Sequence, residues 1–304
     1  MSHSARVWIA LGTVYVLWGS TYLGIELAGE TIPPLFAAGT RFTAAGLLMA
    51  VLTAWGRGLR ALRIRPAELG SALLVGSLLT GSNAVLFVAE RHVAIGLSAL
   101  IVGSVPLWVV LLRTVTGERP PTAALAGVLA GFGGLALLVR PGGRASLGWL
   151  LLVVLVAAMW AFGSFLSRRV PLPRDVFAAA SIEMLAGGAI LLPLGALTTH
   201  PHLGDVSARS VFGWTYLVTF GSIVGFTAYV WLLDNAPIGK VATYAYVNPV
   251  VAIVLGALVL HESLTWSIVV GAVVVLASVA LVVRRESVPP EADAVPAGAA
   301  AHAK

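Results

Sequence analysis

The sequence predicts an all-α membrane protein with ten transmembrane helices, arranged as two inverted five-helix repeats. Of its 304 residues, 59% are hydrophobic and only 11% are charged, whereas soluble domains carry roughly 25% charged residues. The apolar residues collect in long uncharged runs, and several landmarks of the first half return in the same order in the second half. These observations together predict the fold class.

Eight uncharged runs of at least 19 residues are long enough to cross a hydrocarbon core of about 30 Å as helices. They are Val7–Ile25, Leu69–Ala89, Val93–Leu112, Pro120–Val139, Ala145–Ser167, Ser210–Leu233, Val241–Leu260 and Ser263–Val283. Two further runs reach this length only with one internal charge, Arg41 in Thr31–Gly56 and Glu183 in Val176–Thr199. A β-barrel is not expected, because the runs are apolar throughout rather than alternating.

The positive charges predict that both termini are cytoplasmic. An even number of spans places the termini on one side, and the segments on that side hold 14 cations, against four on the other. The 14 are Arg6, Arg57, Arg60, Arg63, Arg65, Arg113, Arg119, Arg168, Arg169, Arg174, Lys240, Arg284, Arg285 and Lys304, and the four are Arg91, Arg140, Arg144 and Arg209. Because cationic loops stay in the cytoplasm, we expect a multi-pass membrane protein with both termini on the cytoplasmic side.

The two halves, residues 7–140 and 145–285, read as repeats, and residues 286–304 read as a disordered cytoplasmic tail rich in Pro and Ala. Landmark residues recur at offsets of 142 to 144. The pairs are Trp18 and Trp160, Arg41 and Glu183, Pro106 and Pro249, and Glu118 and Glu262. Five helices per half invert the second half relative to the first, which is typical of secondary transporters with a substrate site at mid-membrane.

The order of these motifs resembles the EamA-type family of the drug/metabolite transporter superfamily. The residues that carry the resemblance are Trp18-Gly19-Ser20, Arg41-Phe42, Pro106, Gly117-Glu118, Asn248-Pro249 and His261-Glu262. The resemblance implies a ten-helix inner-membrane carrier, often an exporter of amino acids or other small metabolites. It also implies a cavity lined by helices one to four and six to nine, with five and ten peripheral. The second half departs from the pattern at Trp160-Ala161 and Glu183.

Two intramembrane charges are the strongest candidates for substrate-binding residues. Arg41 lies about ten residues into its helix, ~15 Å deep, and Glu183 lies at a similar depth. A charge placed there costs at least ~2.5–3.5 kcal/mol to insert and needs a partner or water. One interpretation is that Arg41 binds a substrate carboxylate while Glu183 takes a proton or a substrate amine. The other is a structural ion pair, either between the two residues or with nearby polar groups.

Further candidate substrate-binding residues are polar or aromatic side chains in the spans. Tyr15, Trp18, Tyr22 and Glu26 fall within a stripe of about 80° on the first helix. The other candidates are Asn83, Trp160, Tyr244 and Asn248. For all of them, helix–helix packing or interhelical hydrogen bonding is the alternative interpretation.

Two prolines and two loop glutamates are expected to have structural roles. Pro106 and Pro249 are candidate hinges, with a passive kink as the alternative. Glu118 and Glu262 precede helices five and ten, whose N-termini they are expected to cap.

Several classes of function are not expected. The chain has no cysteine, and its six histidines lie in loops or tails without a metal-binding or catalytic spacing. Its 19 Lys and Arg residues are too dispersed to bind nucleic acid. We therefore expect no enzyme, metal or cofactor, although proton coupling stays open. The expected partners are a small-molecule substrate and the lipid bilayer, and the chain is expected to be a monomer or a homodimer.

The predicted function is secondary transport, exporting a small metabolite, an amino acid or a drug-like compound by alternating access. The alternatives are a passive channel or facilitator and a non-transporting membrane scaffold or receptor. A channel would show conductance without saturation, and a scaffold would show no flux.

The ten-span topology makes a direct prediction. Reporter fusions at Lys304 and in the loop between Thr199 and Arg209 should report opposite sides of the membrane, because the cation distribution places the two sites on different faces. Signals from the same side at both fusion points would contradict the ten-span arrangement.

Overall fold

A computed structural model of the protein describes residues 1–139, 145–199 and 203–286, and within these ranges it is helical with no strand. The helices are α1 His3–Gly29, α2 Pro34–Arg57, α3 Pro66–Ala89, α4 Ile95–Val102, α5 Val105–Val115, α6 Thr122–Leu138, α7 Leu147–Ser167, α8 Val176–Thr199, α9 Ala208–Tyr216, α10 Gly225–Asn235, α11 Ile238–Val241, α12 Tyr244–Val259 and α13 Trp266–Glu286. A π-helical segment, Leu217–Val224, joins α9 to α10. The predicted tail lies outside the described residues from residue 287 onward.

Seven helical segments are long and apolar enough to cross a membrane. They are α1, α2, α3, the α4–α5 segment, α7, α8 and the α9–α10 segment. The other three predicted spans coincide with shorter apolar helices, Thr122–Leu138, Tyr244–Val259 and Ile268–Arg284. The all-α membrane fold is therefore confirmed, whereas the count of ten spans and the inverted arrangement of the halves stay predictions.

The ends of α2, α3 and α8 follow from local sequence signals. Gly58 follows the last residue of α2 and terminates the helix, because its φ of 82° is a conformation that glycine adopts without strain. At the start of α3, the Glu68 carboxylate accepts a hydrogen bond from the Arg65 amide at 3.0 Å. At the start of α8, the Asp175 carboxylate accepts hydrogen bonds from the amides of Phe177 and Ala178.

Asp175 also ties α2 to α8 through an ion pair. The Arg57 Nη1 atom lies 2.5 Å from the Asp175 Oδ2 atom. Burial opposes the ionised carboxylate, but the hydrogen bonds from Arg57 and the α8 amides outweigh it and lower the Asp175 pKa. The two helices are thus joined at one end by a carboxylate that stays charged at neutral pH.

Along their lengths, α2 and α8 pack backbone to backbone at glycines. A Cβ atom added at Gly39 would overlap the backbone of Leu192, and one at Gly195 would overlap the backbone of Phe36. Cβ atoms added at Gly46 and Gly188 would lie 2.9 and 2.8 Å from backbone atoms of the facing helix. Small residues permit this spacing where lipid supplies no hydrophobic drive for helix association. The contact fixes the relative position of Arg41 on α2 and Glu183 on α8.

The glycine packing predicts a stability difference between two alanine variants. Gly39→Ala should lower the thermal unfolding temperature in detergent, because overpacking of this kind costs about 1–3 kcal/mol. Gly12→Ala is the matched control, since nothing lies within 4 Å of a Cβ atom at that α1 position. Equal unfolding temperatures for the two variants would contradict the close packing of α2 on α8.

Candidate functional site

One central cavity of about 490 Å³ brings together most of the residues that the sequence singled out. Ten of the twelve predicted binding and hinge residues line it: Trp18, Tyr22, Arg41, Asn83, Pro106, Trp160, Glu183, Tyr244, Asn248 and Pro249. No residue of α6 or α13 is among its lining residues in the described part of the chain. This agrees with the peripheral place that the family resemblance implies for helices five and ten.

Arg41 is buried in the cavity wall without a partner for its charge. The residue is 5% exposed, and its Nε and Nη1 atoms have no hydrogen-bond partner among the described residues. The guanidinium carbon lies 4.9 Å from the centre of the Phe42 ring. Arg41 and Glu183 form no ion pair within the described ranges, so the structural ion pair offered as an alternative is absent from this conformation. Arg41 therefore lines the cavity as a cation whose Nε and Nη1 donors have no partner among the described residues.

Glu183 is a partly buried carboxylate of the same cavity. Its main chain packs closely on α3, where a Cβ atom at Gly76 would lie 2.6 Å from the Glu183 Cα atom. Glu183, Thr80 and Asn83 all line the cavity, the first from α8 and the other two from α3. The cavity thus holds one carboxylate and one guanidinium that do not neutralise each other.

Three aromatic rings form a cluster on one wall. The Trp18 ring centre lies 5.0 Å from that of Tyr229 and 5.1 Å from that of Tyr244, and the two tyrosine rings are 5.8 Å apart and perpendicular. The Trp18 indole donates a hydrogen bond to the Gly221 carbonyl at 3.2 Å. Such rings offer flat apolar faces and negative ring centres to an organic or cationic group.

Tyr229 and the π-helical segment are lining features that sequence reasoning did not identify. Gly221 and Ser222 of this segment line the cavity, as does Tyr229 of α10. A π-helical turn offsets part of the helix and is often found at functional sites. A glycine and a serine in an apolar run are too common to signal it.

Tyr15 and Glu26, the two remaining predicted binding residues, lie outside the cavity lining. The Tyr15 hydroxyl forms a hydrogen bond with the Thr243 hydroxyl between α1 and α12, which matches the packing alternative for this residue. Glu26 lies one turn beyond Tyr22 on α1, past the end of the cavity. Of the predicted stripe, Trp18 and Tyr22 therefore line the cavity, whereas Tyr15 and Glu26 do not.

The two ends of the helix assembly differ. We call the end that carries His3, Arg57 and Asp175 the N-terminal face, and the opposite end the far face. On the N-terminal face the cavity lining reaches Leu172 and Val176 in the α7–α8 connection.

On the far face, hydrogen bonds between the two halves of the chain cover the cavity. Thr31 donates to the Ser210 hydroxyl at 2.9 Å, and Ser210 donates to the Leu27 carbonyl at 2.9 Å. The Trp214 indole donates to the Thr40 hydroxyl at 3.0 Å. These polar contacts join the two halves on the far face.

Glu262 adds to this closure, and the capping prediction for it was wrong about the helix. Its two carboxylate oxygens accept hydrogen bonds from the amides of Ile95 and Gly96 at 2.7 and 3.2 Å. The carboxylate thus caps the N-terminus of α4, not that of α13, because the loop before α13 folds over the first half of the chain. A carboxylate at a helix N-terminus is favoured by the helix dipole.

Glu118 is held on the N-terminal face by two arginines. Its carboxylate pairs with Arg113 at 2.6 Å and with Arg169. The hydrogen bond from Arg113 is the main cause that lowers the Glu118 pKa, and Arg169 adds to it. Glu118 therefore links the α5–α6 loop to the end of α7 as a charged side chain.

The two prolines occupy different settings. The chain breaks between α4 and α5 at residues 103–104, just before Pro106, as expected when a proline removes an amide donor. Pro249 lies inside the continuous helix α12. Both border the cavity, and their role as hinges stays a prediction.

Comparison with known proteins identifies the family. The EamA-like transporter family matches the chain twice, over residues 6–140 and 147–284. The uncharacterized inner membrane transporter YedA of Escherichia coli K12 is 37% identical over 251 residues, which cover 81% of this chain and 80% of YedA. The uncharacterized transporter YvbV of Bacillus subtilis is 26% identical over 283 residues, or 91% of each chain.

A solved crystal structure shows the same fold. It superposes with a TM-score of 0.64 at 21% identity and covers 94% of this chain and 100% of its own. The family match and the named relatives agree with the resemblance that the motifs indicated. The chain belongs to the EamA-like transporter family and is a multi-pass membrane transporter.

Proposed function

We propose that the protein is a secondary transporter that exports a small metabolite, an amino acid or a drug-like compound by alternating access. The observation that carries this proposal is the unpartnered guanidinium of Arg41 in the wall of a central cavity. A buried cation without a partner is costly, and a substrate anion or cavity water would offset that cost.

The lining points to a substrate with an anionic group and an organic body. Arg41 suits a carboxylate, which it can bind with two parallel hydrogen bonds. Trp18, Tyr229 and Tyr244 offer apolar faces, and Glu183 suits an amine or a proton. A cavity of about 490 Å³ falls within the range of small-molecule sites. An amino acid or a similar small zwitterion meets all of these requirements.

Alternating access is supported by the difference between the two faces. The far face is covered by hydrogen bonds between the halves, whereas the cavity extends to the N-terminal face. The two family matches of similar length support the inverted repeat, which would let one half rock against the other. We further propose that the protein lies in the inner membrane with both termini in the cytoplasm, as a monomer or a homodimer.

The substrate site predicts the behaviour of Arg41 variants. Arg41→Ala should lower transport per folded molecule by about 10- to 100-fold, since hydrogen bonds to charged groups are worth about 1.5–3 kcal/mol. Arg41→Lys should rescue it poorly, because an ammonium group cannot reproduce the planar bidentate contact. The measurement is a metabolite-efflux screen of overexpressing cells, followed by counterflow of the identified substrate in proteoliposomes.

Arg6→Ala is the matched control, because this arginine is exposed on the N-terminal face and does not line the cavity. Full transport by Arg41→Ala would contradict the assigned role of this residue. Conductance without saturation would favour the channel alternative, and no flux of any metabolite would favour the scaffold. Unchanged transport by Glu183→Gln across a pH series would exclude Glu183 as the proton carrier.

If the N-terminal face is cytoplasmic, as we propose, the cavity should be accessible to reagents from the cytoplasmic side in this conformation. Because the chain has no cysteine, a single introduced thiol can be labelled without background. In inside-out membrane vesicles, the Ser167→Cys variant should react with a small impermeant thiol reagent, since Ser167 lines the cavity end near the N-terminal face. The Ser98→Cys variant is the control, because Ser98 is fully buried outside the cavity. Equal reactivity of the two thiols would contradict the predicted access.

A further inference from the structure

Glu90 extends the cavity-lining face of α3 by one turn. Leu79, Asn83 and Leu86 line the cavity from α3, and Glu90 follows Leu86 by four residues. Its backbone is still helical, with φ −64° and ψ −18°. Residues separated by three, four or seven positions share one face of a helix. Glu90 therefore lies just beyond the cavity, toward the far face.

The carboxyl group of Glu90 is buried and has no partner. The residue is 4% exposed, and neither carboxylate oxygen has a hydrogen-bond partner among the described residues. Its position directly before Arg91 reads in the sequence as an ordinary loop charge, so the sequence does not distinguish it. Burial of an unpaired carboxylate is costly enough that the group takes up a proton instead.

Four charged or titratable groups interact with Glu90 through their charges. Tyr22 and Arg41 line the cavity, whereas Glu26 and Glu262 are not among its lining residues. Arg91, the next residue, is engaged with the Gly29 carbonyl. Glu262 is engaged with two α4 amides.

Arg41 is the one cation near enough to interact with Glu90 through its charge, yet the two side chains form no ion pair within the described ranges. The carboxylates of Glu26 and Glu262 disfavour a second negative charge beside them. Metal coordination is an unsuitable alternative, because the described residues contain no group of three or more acidic, histidine or cysteine side chains that could hold an ion.

We propose that Glu90 is a proton-binding site between the cavity and the far face. The role of this site rests on the proposed transport function, whereas protonation of Glu90 can be tested without a transport assay. In the conformation closed on the far face, one carboxylate oxygen of Glu90 carries a hydrogen taken from water as H⁺. When the far face opens, solvation stabilises the carboxylate, the O–H bond breaks and the proton leaves to water on that side.

The site also connects proton binding to substrate binding. Protonation of Glu90 removes the negative charge nearest to Arg41, which leaves the guanidinium to a substrate anion. Glu26, at intermediate exposure on α1, interacts with Glu90 through its charge.

The test is infrared difference spectroscopy of the purified protein in sodium-free nanodiscs at neutral pH. The readout is the carbonyl stretching band of protonated carboxylic acids, which ionised carboxylates lack. The background variant is Glu183→Gln, which removes the cavity carboxyl group. Adding Glu90→Gln to this background should abolish one carboxylic-acid band, whereas adding Glu68→Gln, a partly exposed capping carboxylate, should leave the spectrum unchanged.

An unchanged band in the Glu90→Gln double variant would overturn the proposal, because it would mean that Glu90 is ionised. A band that appears only without sodium and disappears when sodium is added would also overturn it, in favour of a cation site. If Glu90→Gln does not fold, Glu90→Asp provides the second test, since a protonated aspartate shifts the band without removing it. Failure of the efflux assay alone would contradict transport while leaving the proton site intact.

Discussion

The close packing of α2 against α8 is the contact on which the site depends. Glycines on both helices let the two backbones approach until a single added methyl group would overlap the partner. In lipid, where apolar side chains gain little by associating, such small-residue contacts supply much of the specificity of helix packing. Because α2 belongs to the first half and α8 to the second, this contact is one of those that join the halves. It also sets Arg41 and Glu183 in the wall of the same cavity.

A second constraint acts at the far face, where polar groups close the cavity by crossing between the halves. Glu262 of the second half caps α4 of the first, and Ser210 joins Thr31 and Leu27. Each contact satisfies a backbone or hydroxyl group of one half with a group of the other half. Glu90, which is buried without a partner, follows the cavity-lining face of α3 toward the same end.

The sequence identified the charged residues within the spans well, and it identified the other cavity residues less well. Arg41 and Glu183 are identifiable because a charge within an apolar run has no cheap explanation, and both line the cavity. Glu90 was missed because its place at the end of a run looks like solvent exposure, although the folded chain buries it. Tyr229 and the π-helical turn were missed because their residue types are ordinary in a membrane helix. Tyr15 shared a predicted stripe with Trp18, yet it binds Thr243 instead of facing the cavity.

By itself, the sequence determined that the chain is an α-helical membrane protein of the EamA-like type. Run length, charge content and motif order can be read directly from the sequence. In a bilayer, a long apolar run must form a helix to satisfy its backbone hydrogen bonds, whatever the rest of the fold. Only the tertiary structure decided which helix faces meet, that Glu262 caps α4, and that Arg41 is left without a partner. These outcomes depend on contacts between residues more than a hundred positions apart. A pattern of apolar and polar residues along one helix shows that a side chain needs a partner, but the facing helix decides whether it has one.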